Sequence, residues 1–379
     1  MHHSHILRIF SIGMYKTWIE IDRQAARHNV RVFKKILPAK TKLWAVVKSN
    51  AYGHGLVLFS KILEASAVDG FCVDSVIEGL KLRQNGVKKP ILVLGPTLSR
   101  KRYMQAKAKG ITVTVSTFEA LRQLQSLKNR APEFHIKIDT GMHRQGFLLL
   151  DIPELLKQVQ SFRQRRILPR RTKFKVQSLL FGVYTHFAAP ADRKHRTFTE
   201  AQYAKFMTVV AQFERAGFSH LVRHVASTGG VLANMHYALD AVRVGAGLYG
   251  FCPSNDMARR CAALPLKPVL SWRSVISEVK VIPKGDSVGY GRLFRASRPT
   301  RIAVVPIGYW HGIDRRAFPG LDLSLNNSRE LFNDQGLKAL VRGKRASLVG
   351  KVSMDIITID VTRIPVRVGN RVTLIGRDG

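Results

Sequence analysis

One lysine stands where a side-chain amine could do covalent chemistry. Lys48 follows the apolar run 43–47 and precedes a loop with glycines at positions 53 and 55. An amine at the end of a buried strand loses part of its water, and this favours the neutral form that attacks a carbonyl carbon to make a Schiff base. Because a lysine at a strand end is more often a solvated terminus, Lys48 needs support from the rest of the chain.

That support comes from a series of short runs in a fixed order. The segment around Lys48 reads AVVKSNAYGHG at 45–55. It is followed by KIDTGMHR at 137–144, VYTHFA at 183–188, RVGA at 243–246, VGYG at 288–291, PIGY at 306–309 and GKVSMD at 350–355. One such match would be weak. Together, over nearly the whole chain, they resemble the cofactor-lysine signature and the later stations of the alanine racemase family.

The resemblance implies a pyridoxal-phosphate-dependent isomerase that interconverts L-alanine and D-alanine and supplies D-alanine for peptidoglycan. Lys48 would hold the cofactor and move the substrate α-proton on one face. Tyr290, reaching in from a second subunit, would move it on the other face, so the resemblance also implies a homodimer with shared active sites. Racemisation needs two acid/base groups that flank one carbon, which a lysine and a tyrosine on opposite sides supply.

Arg243 bears on the type of reaction. Most pyridoxal enzymes place a carboxylate at the pyridine nitrogen of the cofactor, whereas a guanidinium cannot accept that proton. Negative charge then spreads less into the ring, and side reactions such as transamination are discouraged. By the resemblance, His186 and Arg243 also supply the positive charge or hydrogen bonding that Tyr290 needs.

The resemblance extends to residues around the substrate and the cofactor phosphate. Arg144 would contact the phenolic oxygen of the cofactor and the substrate carboxylate, and Lys137 would be carbamylated to orient Arg144. Met354 of the second subunit would offer its backbone N–H to the substrate carboxylate, and Tyr309 would line the entrance. Barrel enzymes commonly bind phosphate at the ends of the last strands. The matching positions are Tyr52, Ser227, Thr228, Gly245 and Ala246.

Two other patterns suggest chemistry of a different kind. Residues 245–250 fit GxGxxG after a strand, the fingerprint of a dinucleotide site, but Pro253 interrupts the helix that this site requires and no acidic residue lies at 265–274. His220 and His224 have the i, i+4 spacing of metal ligands on a helix, yet they lie in a strand pattern. The sequence therefore predicts neither a dinucleotide site nor a metal site.

The elements that must position these residues alternate between strand and helix. Apolar, β-branched runs occur at 43–47, 70–73, 91–94, 111–115, 134–138, 180–185, 221–225 and 241–244. Helical spacing fills the segments between them, as at 78–85 and 118–128, so the pattern predicts an α/β fold, a (β/α)8 TIM-like barrel. Strands separated by turns follow, at 275–282, 302–307, 347–349 and 356–361, and predict a mostly β domain.

The predicted domain limits follow from that change of pattern. Residues 1–13 form a loose N-terminal extension, 14–262 the cofactor-binding barrel and 263–379 the C-terminal β domain. The first strand, at 17–21, joins the β domain and precedes a helix at 22–37. The family continues beyond residue 379 with a tyrosine that contacts the cofactor phosphate, so a shortened β domain is expected.

Composition narrows the class of protein. No apolar run approaches the roughly 18 residues of a membrane helix, so no membrane partner is expected. Cys72, Cys252 and Cys261 form no CxxC pair, which predicts small buried residues in a reducing cytoplasm rather than a disulfide. The formal charge of +37 and the basic run at 163–175 favour nonspecific attraction to polyanions, without a specific nucleic-acid partner.

Two positions depart from the family pattern, and three alternatives stay open. His311 stands where the family usually has aspartate, and Ser353 where cysteine is frequent. The alternatives are a catalytically weak or silent pyridoxal-phosphate-binding protein, a racemase for another amino acid such as serine or lysine, and a barrel protein that binds nucleic acid through its charge.

Overall fold

The computed structural model describes residues 15–164, 179–315 and 337–376. Contacts divide the chain into two compact units. The barrel unit is Arg23–Val269. The β unit combines Leu270–Gly379 with the segment that ends at Asp22, which carries the first strand, β1 (Thr17–Ile21). The predicted N-terminal extension and most of the basic run at 163–175 lie outside the described residues.

The barrel unit alternates strands with helices. Its strands are β2 (Lys42–Val46), β3 (Gly70–Val73), β4 (Ile91–Val93), β5 (Val113–Val115), β6 (Phe134–Lys137), β7 (Leu180–Tyr184), β8 (Val222–His224) and β9 (Ala241–Val244). Its helices are α1 (Arg23–Ile36), α2 (Lys48–Tyr52), α3 (Leu56–Glu64), α4 (Val76–Gln84), α5 (Arg100–Ala108), α6 (Phe118–Ser126), α7 (Ile152–Gln164), α8 (Arg196–Arg215), α9 (Thr228–Ala233) and α10 (Ala258–Ala263).

The eight strands form a parallel ring. The order β4-β3-β2-β9 makes one run of paired strands and β5-β6-β7-β8 the other. Parallel bridges from Leu92 to Thr112 and from Ser227 to Arg243 join the two runs. Strands that are covered on both faces read as continuous apolar runs, and this is why the eight segments were visible in the sequence. The predicted TIM-like barrel is confirmed.

Side-chain caps start two of the helices directly after strand ends. The hydroxyl of Ser75 accepts from the N–H of Glu78 at 3.3 Å at the start of α4. Thr117 does the same for Ala120 at 3.1 Å at the start of α6. Each cap satisfies a backbone donor that has no partner within the helix, so the chain turns from strand to helix within a few residues. The loops that follow β3 and β5 are therefore short.

The described residues of the β unit form three antiparallel sheets. Its strands after β1 are β10 (Leu270–Val275), β11 (Glu278–Ile282), β12 (Ser287–Val288), β13 (Phe294–Arg295), β14 (Thr300–Val305), β15 (Lys338–Val341), β16 (Lys344–Ser347), β17 (Ile357–Asp360) and β18 (Arg371–Ile375). The sheet orders are β1-β10-β18-β15-β16, β11-β14-β17 and β12-β13. The core between them is aliphatic, with Ala303, Ile307 and Ile359 fully buried.

One predicted strand of this unit was wrong. The run 275–282 is not one strand: it starts at the last residue of β10, leaves that sheet at Ile276 and Ser277, and continues as β11. The N–H of Ile276 donates to Asn370 and that of Ser277 to Val304, so adjacent residues pair with different strands. Ile276 is buried, and a buried residue in an apolar run carries no local sign of such a crossing.

The cysteine prediction was wrong for two of three residues. Cys72 is buried in β3, as expected of a small apolar residue. Cys252 and Cys261 are joined by a disulfide, because a 3-10 turn at Asn255–Met257 and the start of α10 bring the chain back on itself. In the described part of the chain, no helix is both long enough and apolar enough to cross a membrane.

Candidate active site

A cavity of about 620 Å³ lies at the carboxyl ends of the barrel strands. All ten sequence-predicted site residues of the barrel line it: Lys48, Tyr52, Lys137, Arg144, His186, Ser227, Thr228, Arg243, Gly245 and Ala246. Sequence reasoning missed the others: Val46, Asp74, Leu94, Gly95, Pro96, Gln145, Tyr184, Gly229 and Pro253. A usable signal existed for some of them, because Asp74 and Gly95 also follow strand ends and Tyr184 lies two residues before His186.

The backbone after Lys48 forms a left-handed turn. Ser49, Asn50, Ala51 and Tyr52 all have φ between 52° and 55°. In non-glycine residues this conformation costs roughly 1–2 kcal/mol each, so other contacts must hold it. The side chain of Asn50 accepts from the N–H of Leu56 at 2.9 Å, and the N–H of Asn50 donates to Glu78 at 3.2 Å. These contacts fix the direction in which the chain leaves Lys48.

Arg243 is buried at the base of the cavity without a carboxylate among its described partners. Its guanidinium donates to the carbonyls of Thr185 at 2.9 Å, Val225 at 3.1 Å and His224 at 3.1 Å. It also lies over the ring of Tyr184, 4.9 Å from the centroid. Since only 3% of Arg243 is exposed, these carbonyl dipoles and the aromatic ring compensate for its lost hydration.

His186 accepts a hydrogen bond from Arg243. The Nη2 atom of Arg243 lies 3.2 Å from Nδ1 of His186. Burial, followed by the positive charges of Arg243 and Lys137, lowers the pKa of His186 to about 3. His186 is therefore neutral near pH 7, with Nδ1 accepting and Nε2 carrying the hydrogen. Of the two contributions expected of it, hydrogen bonding or positive charge, it can supply only the hydrogen bond.

Behind Arg243 lies a histidine pair that sequence reasoning missed. Nδ1 of His135 is 2.8 Å from Nε2 of His224, and the other ring nitrogen of His224 faces the guanidinium of Arg243. Burial, and then Arg243, lower the pKa of His135 to about 3. His220, which the sequence placed beside His224 as a possible metal pair, is exposed just before β8.

Lys137 lies at the end of β6 with little access to water. Burial first, and then the charges of Arg144 and Arg243, lower its pKa to about 8. Its amine donates to Oε1 of Gln145 at 3.0 Å, and the amide nitrogen of Gln145 donates to Ser116 at 3.3 Å. A substantial fraction of the amine is consequently neutral at mildly alkaline pH.

The remaining predicted residues, Tyr290, Tyr309 and Met354, belong to the β unit. Within that unit two of them are neighbours, because the N–H of Tyr309 donates to Ser353 at 3.1 Å and that of Trp310 to Met354 at 3.0 Å. Tyr290 is 71% exposed and Met354 is 51% exposed.

The GxGxxG segment does not build a dinucleotide site. Residues Ala246–Tyr249 form one 3-10 turn, which ends at Gly250 with φ of +87°. A Cβ at Gly250 would lie 2.2 Å from the carbonyl oxygen of Lys267. Glycine is therefore needed here because the backbone of Lys267 passes close to it. The long helix of the fingerprint is absent from this described segment.

Comparison with known proteins agrees with this geometry. The family model described as alanine racemase, N-terminal domain matches residues 21–253, and the model of the C-terminal domain matches residues 269–379. The chain belongs to the alanine racemase family. It is 34% identical to alanine racemase 2 of Caldanaerobacter subterraneus over 95% of this chain and 85% of that protein. It is 33% identical to the alanine racemase of Halothermothrix orenii, over 96% and 88%.

Solved alanine racemases share the fold. The enzyme of Bacillus anthracis with bound L-Ala-P superposes with a TM-score of 0.81 at 32% identity, over 96% of this chain and 86% of that one. The enzyme of E. faecalis gives a TM-score of 0.79 at 31% identity, over 98% of this chain and 91% of that one. Family membership therefore covers both units of the chain.

Proposed function

We propose that this protein is a pyridoxal-phosphate-dependent alanine racemase that interconverts L-alanine and D-alanine. The observation that carries the proposal is the convergence of Lys48, Arg144, His186 and Arg243 on one cavity at the carboxyl ends of the barrel strands. These residues are up to 195 positions apart, yet each lies at the position that the family pattern assigns to it.

The lining of the cavity fits pyridoxal phosphate. The hydroxyls of Tyr52, Ser227 and Thr228 can donate to a phosphate, and the backbone at Gly245 and Ala246 lines the same part of the cavity. The N–H of Gly245 donates to the hydroxyl oxygen of Thr228 at 3.2 Å, which leaves the hydrogen of that hydroxyl for the phosphate. A Cβ at Gly245 would lie 3.1 Å from the hydroxyl of Tyr52, so glycine keeps this backbone open to a ligand. Lys48 supplies the amine that attaches the cofactor, while Val46 and Leu94 add apolar surface for a ring.

The chain's own residues divide the chemistry between them. When bound, pyridoxal phosphate withdraws electron density from the substrate α-carbon and acidifies its proton. Lys48 moves this proton on one face. Arg243, fixed by three backbone carbonyls, presents a cation that cannot take up a proton, which favours proton return to carbon over transamination. His186 accepts from the same guanidinium through Nδ1 and so helps to hold Arg243.

Arg144 and Lys137 orient the substrate. Arg144 is the cation proposed for the phenolic oxygen of the cofactor and for the substrate carboxylate. Lys137 is proposed to carry a carbamate, since its neutral amine reacts with carbon dioxide and its pKa of about 8 makes that form accessible. A carbamate beside Arg144 would replace the repulsion between two cations by attraction.

Tyr290 is proposed as the acid/base group of the opposite face, contributed by a second subunit of a homodimer. Met354, through its backbone N–H, and Tyr309, at the entrance, are proposed to come with it. What supports the proposal is exposure: Tyr290 is 71% exposed and Met354 is 51% exposed, as expected of residues that serve another chain.

The choice of alanine rests on the relatives, of which one binds L-Ala-P. Serine and lysine are the alternative substrates. A silent cofactor-binding protein is disfavoured, because the cavity retains each of the barrel residues that the family pattern calls for. A cytoplasmic location and a role in providing D-alanine for peptidoglycan are part of the proposal.

The test is an assay of racemisation with pyridoxal phosphate supplied, using alanine, serine and lysine in parallel and reading the D/L ratio by chiral chromatography. Conversion of alanine well above that of the other two supports the proposal. Cofactor binding without turnover of any of the three would favour the silent alternative. Salt-dependent binding of nucleic acid that survives Lys48→Ala would favour the third alternative.

A further inference from the structure

The loop that carries Arg144 is organised around one buried carboxylate, that of Asp139. Its Oδ1 accepts from the backbone N–H groups of Gly141 at 2.9 Å, Met142 at 3.0 Å and His143 at 3.0 Å. Its Oδ2 accepts from the N–H of Arg144 at 3.2 Å. Four consecutive backbone donors therefore converge on one side chain that is only 7% exposed.

The two ends of the loop are tied together as well. The N–H of Asp139 donates to Phe147 at 2.8 Å, and that of Phe147 donates to Lys137 at 2.9 Å. Gly146 has φ of +137°, and a Cβ there would lie 2.6 Å from the nitrogen of Asp139. The loop is thus closed at its base, and the carboxylate of Asp139 fills its interior.

Asp139 differs from the residues that line the cavity in its charge and in its access to a ligand. It does not line the cavity, whereas Arg144 does. Burial raises the pKa of Asp139, but hydrogen bonds from the backbone of His143 and Gly141 outweigh this and leave the pKa below its usual value. The imidazole of His143, 3.9 Å from Oδ1, is largely exposed and adds to the same effect. Asp139 is consequently an anion whose hydrogen bonds go to the backbone of the loop rather than to a ligand in the cavity.

We propose that Asp139 is a positioning residue, which holds the loop 140–146 in the one conformation that presents Arg144 to the cavity. The inference rests on the proposed function, because Arg144 matters only if it binds the substrate carboxylate and the cofactor. Asp139 acts through Arg144 and moves no proton itself.

The variant Asp139→Asn isolates this role. The amide oxygen can still accept from Gly141, Met142 and His143, but the amide nitrogen then faces the N–H of Arg144, and two donors cannot pair. The peptide of Arg144 must turn. KM for alanine should rise about tenfold while kcat changes less than about threefold, since a lost hydrogen bond to a charged group has about this effect.

Matched variants distinguish positioning from general damage. Asp151→Asn is the control, because Asp151 accepts from the N–H of Leu148 at 2.8 Å just outside the loop; its KM should stay within about twofold of wild type. Gly146→Ala disturbs the loop from its other end and should raise KM as Asp139→Asn does. In an Arg144→Ala background, Asp139→Asn should add less than about twofold, because both changes act through one group.

Amide hydrogen exchange provides a measurement that is independent of activity. In Asp139→Asn the peptide that covers 139–147 should exchange faster than in wild type, with or without cofactor, while the Asp151→Asn protein should match wild type there. Unchanged exchange would overturn the proposal, as would faster exchange with unchanged KM in an active enzyme. A wild-type protein that racemises none of the amino acids tested contradicts the proposed function instead, and exchange then still decides whether Asp139 holds the loop.

Discussion

The barrel cavity and the β unit present the groups proposed for the reaction in opposite ways. In the cavity, Arg243, His186 and Lys137 are largely buried and are held by contacts within the same unit. In the β unit, Tyr290 and Met354 are mostly exposed, on segments whose backbone is ordered by close approaches such as that of Tyr309 to Ser353.

The difference shows two ways in which a protein can position reactive groups: burial among partners of the same unit, and exposure on an ordered backbone. Within the barrel, partners from distant strands lower the pKa values of His186 and Lys137 before any ligand arrives, because burial and nearby cations act together. In the β unit the backbone fixes the Cα positions of Tyr290 and Met354. Their side chains are exposed, so their burial and hydrogen bonding would be set by a binding partner. The following predictions test this contrast.

Lys48→Ala should produce the largest effect. Loss of the amine removes the attachment of the cofactor and one of the two bases, so racemisation should fall by at least about 10³-fold. Borohydride reduction in the presence of pyridoxal phosphate, followed by peptide mapping, should label wild type at Lys48 and leave the variant unlabelled. The control is Lys42→Ala, on an exposed lysine at the start of β2, the strand that precedes Lys48. A reducible adduct that persists in Lys48→Ala would exclude this assignment.

Tyr290→Phe should cost about 10²- to 10⁴-fold in kcat, because the phenyl ring keeps the shape but cannot transfer a proton. Mixed with Lys48→Ala under conditions of subunit exchange, it should restore up to about a quarter of wild-type activity, since one of the two sites of each hybrid dimer keeps both bases. Activity of the mixture and sedimentation of each protein are the measurements. A stable, fully active monomer would rule out the shared site.

Arg243→Gln should combine lost activity with lost stability. The shorter glutamine cannot donate to all three carbonyls that Arg243 contacts, so some of them lose their hydrogen bond. The free energy of unfolding should therefore fall by about 2–4 kcal/mol in urea titrations. Arg223→Gln is the matched control, because Arg223 pairs with Asp240 on the partly exposed side of β8 and its loss should cost less than about 1 kcal/mol. Equal losses in the two variants would mean that the carbonyl contacts of Arg243 contribute little.

Lys137 gives a prediction about pH. Its pKa is about 8 in the folded protein against 10.5 ordinarily, so between these values the unfolded chain binds more protons and stability rises with pH. In buffer free of carbon dioxide, the free energy of unfolding of wild type relative to Lys137→Met should rise by about 1–3 kcal/mol from pH 8 to 10.5.

The control for Lys137 is Lys101→Met, on an exposed lysine of α5, which should show no such rise. With ¹³C-labelled bicarbonate, wild type should show a carbamate signal that Lys137→Met lacks. A flat difference across this pH range would mean that burial does not disfavour the charged amine.

Sequence patterns predicted much of this molecule because the information was local. Apolar runs covered on both faces marked the eight barrel strands, and residues directly after strand ends pointed to the cavity. The same reasoning ran the last residue of β10 and the whole of β11 together as one strand, since a change of sheet at Ile276 leaves the apolar pattern intact. It also missed the pairing of Cys252 with Cys261, which depends on a turn between them.

By itself, then, the sequence determined the barrel and the β unit, because periodicity and residue type act over a few neighbouring positions, and its resemblance to a family pointed to ten of the residues that line the cavity. Only the tertiary structure decided which groups surround those residues and how deeply they are buried. Closing the ring brings His135, His224 and Arg243 into contact and surrounds Arg243 with carbonyls from other strands. Hydrogen bonding, burial and pKa depend on such partners distant in the chain, and no local pattern records them.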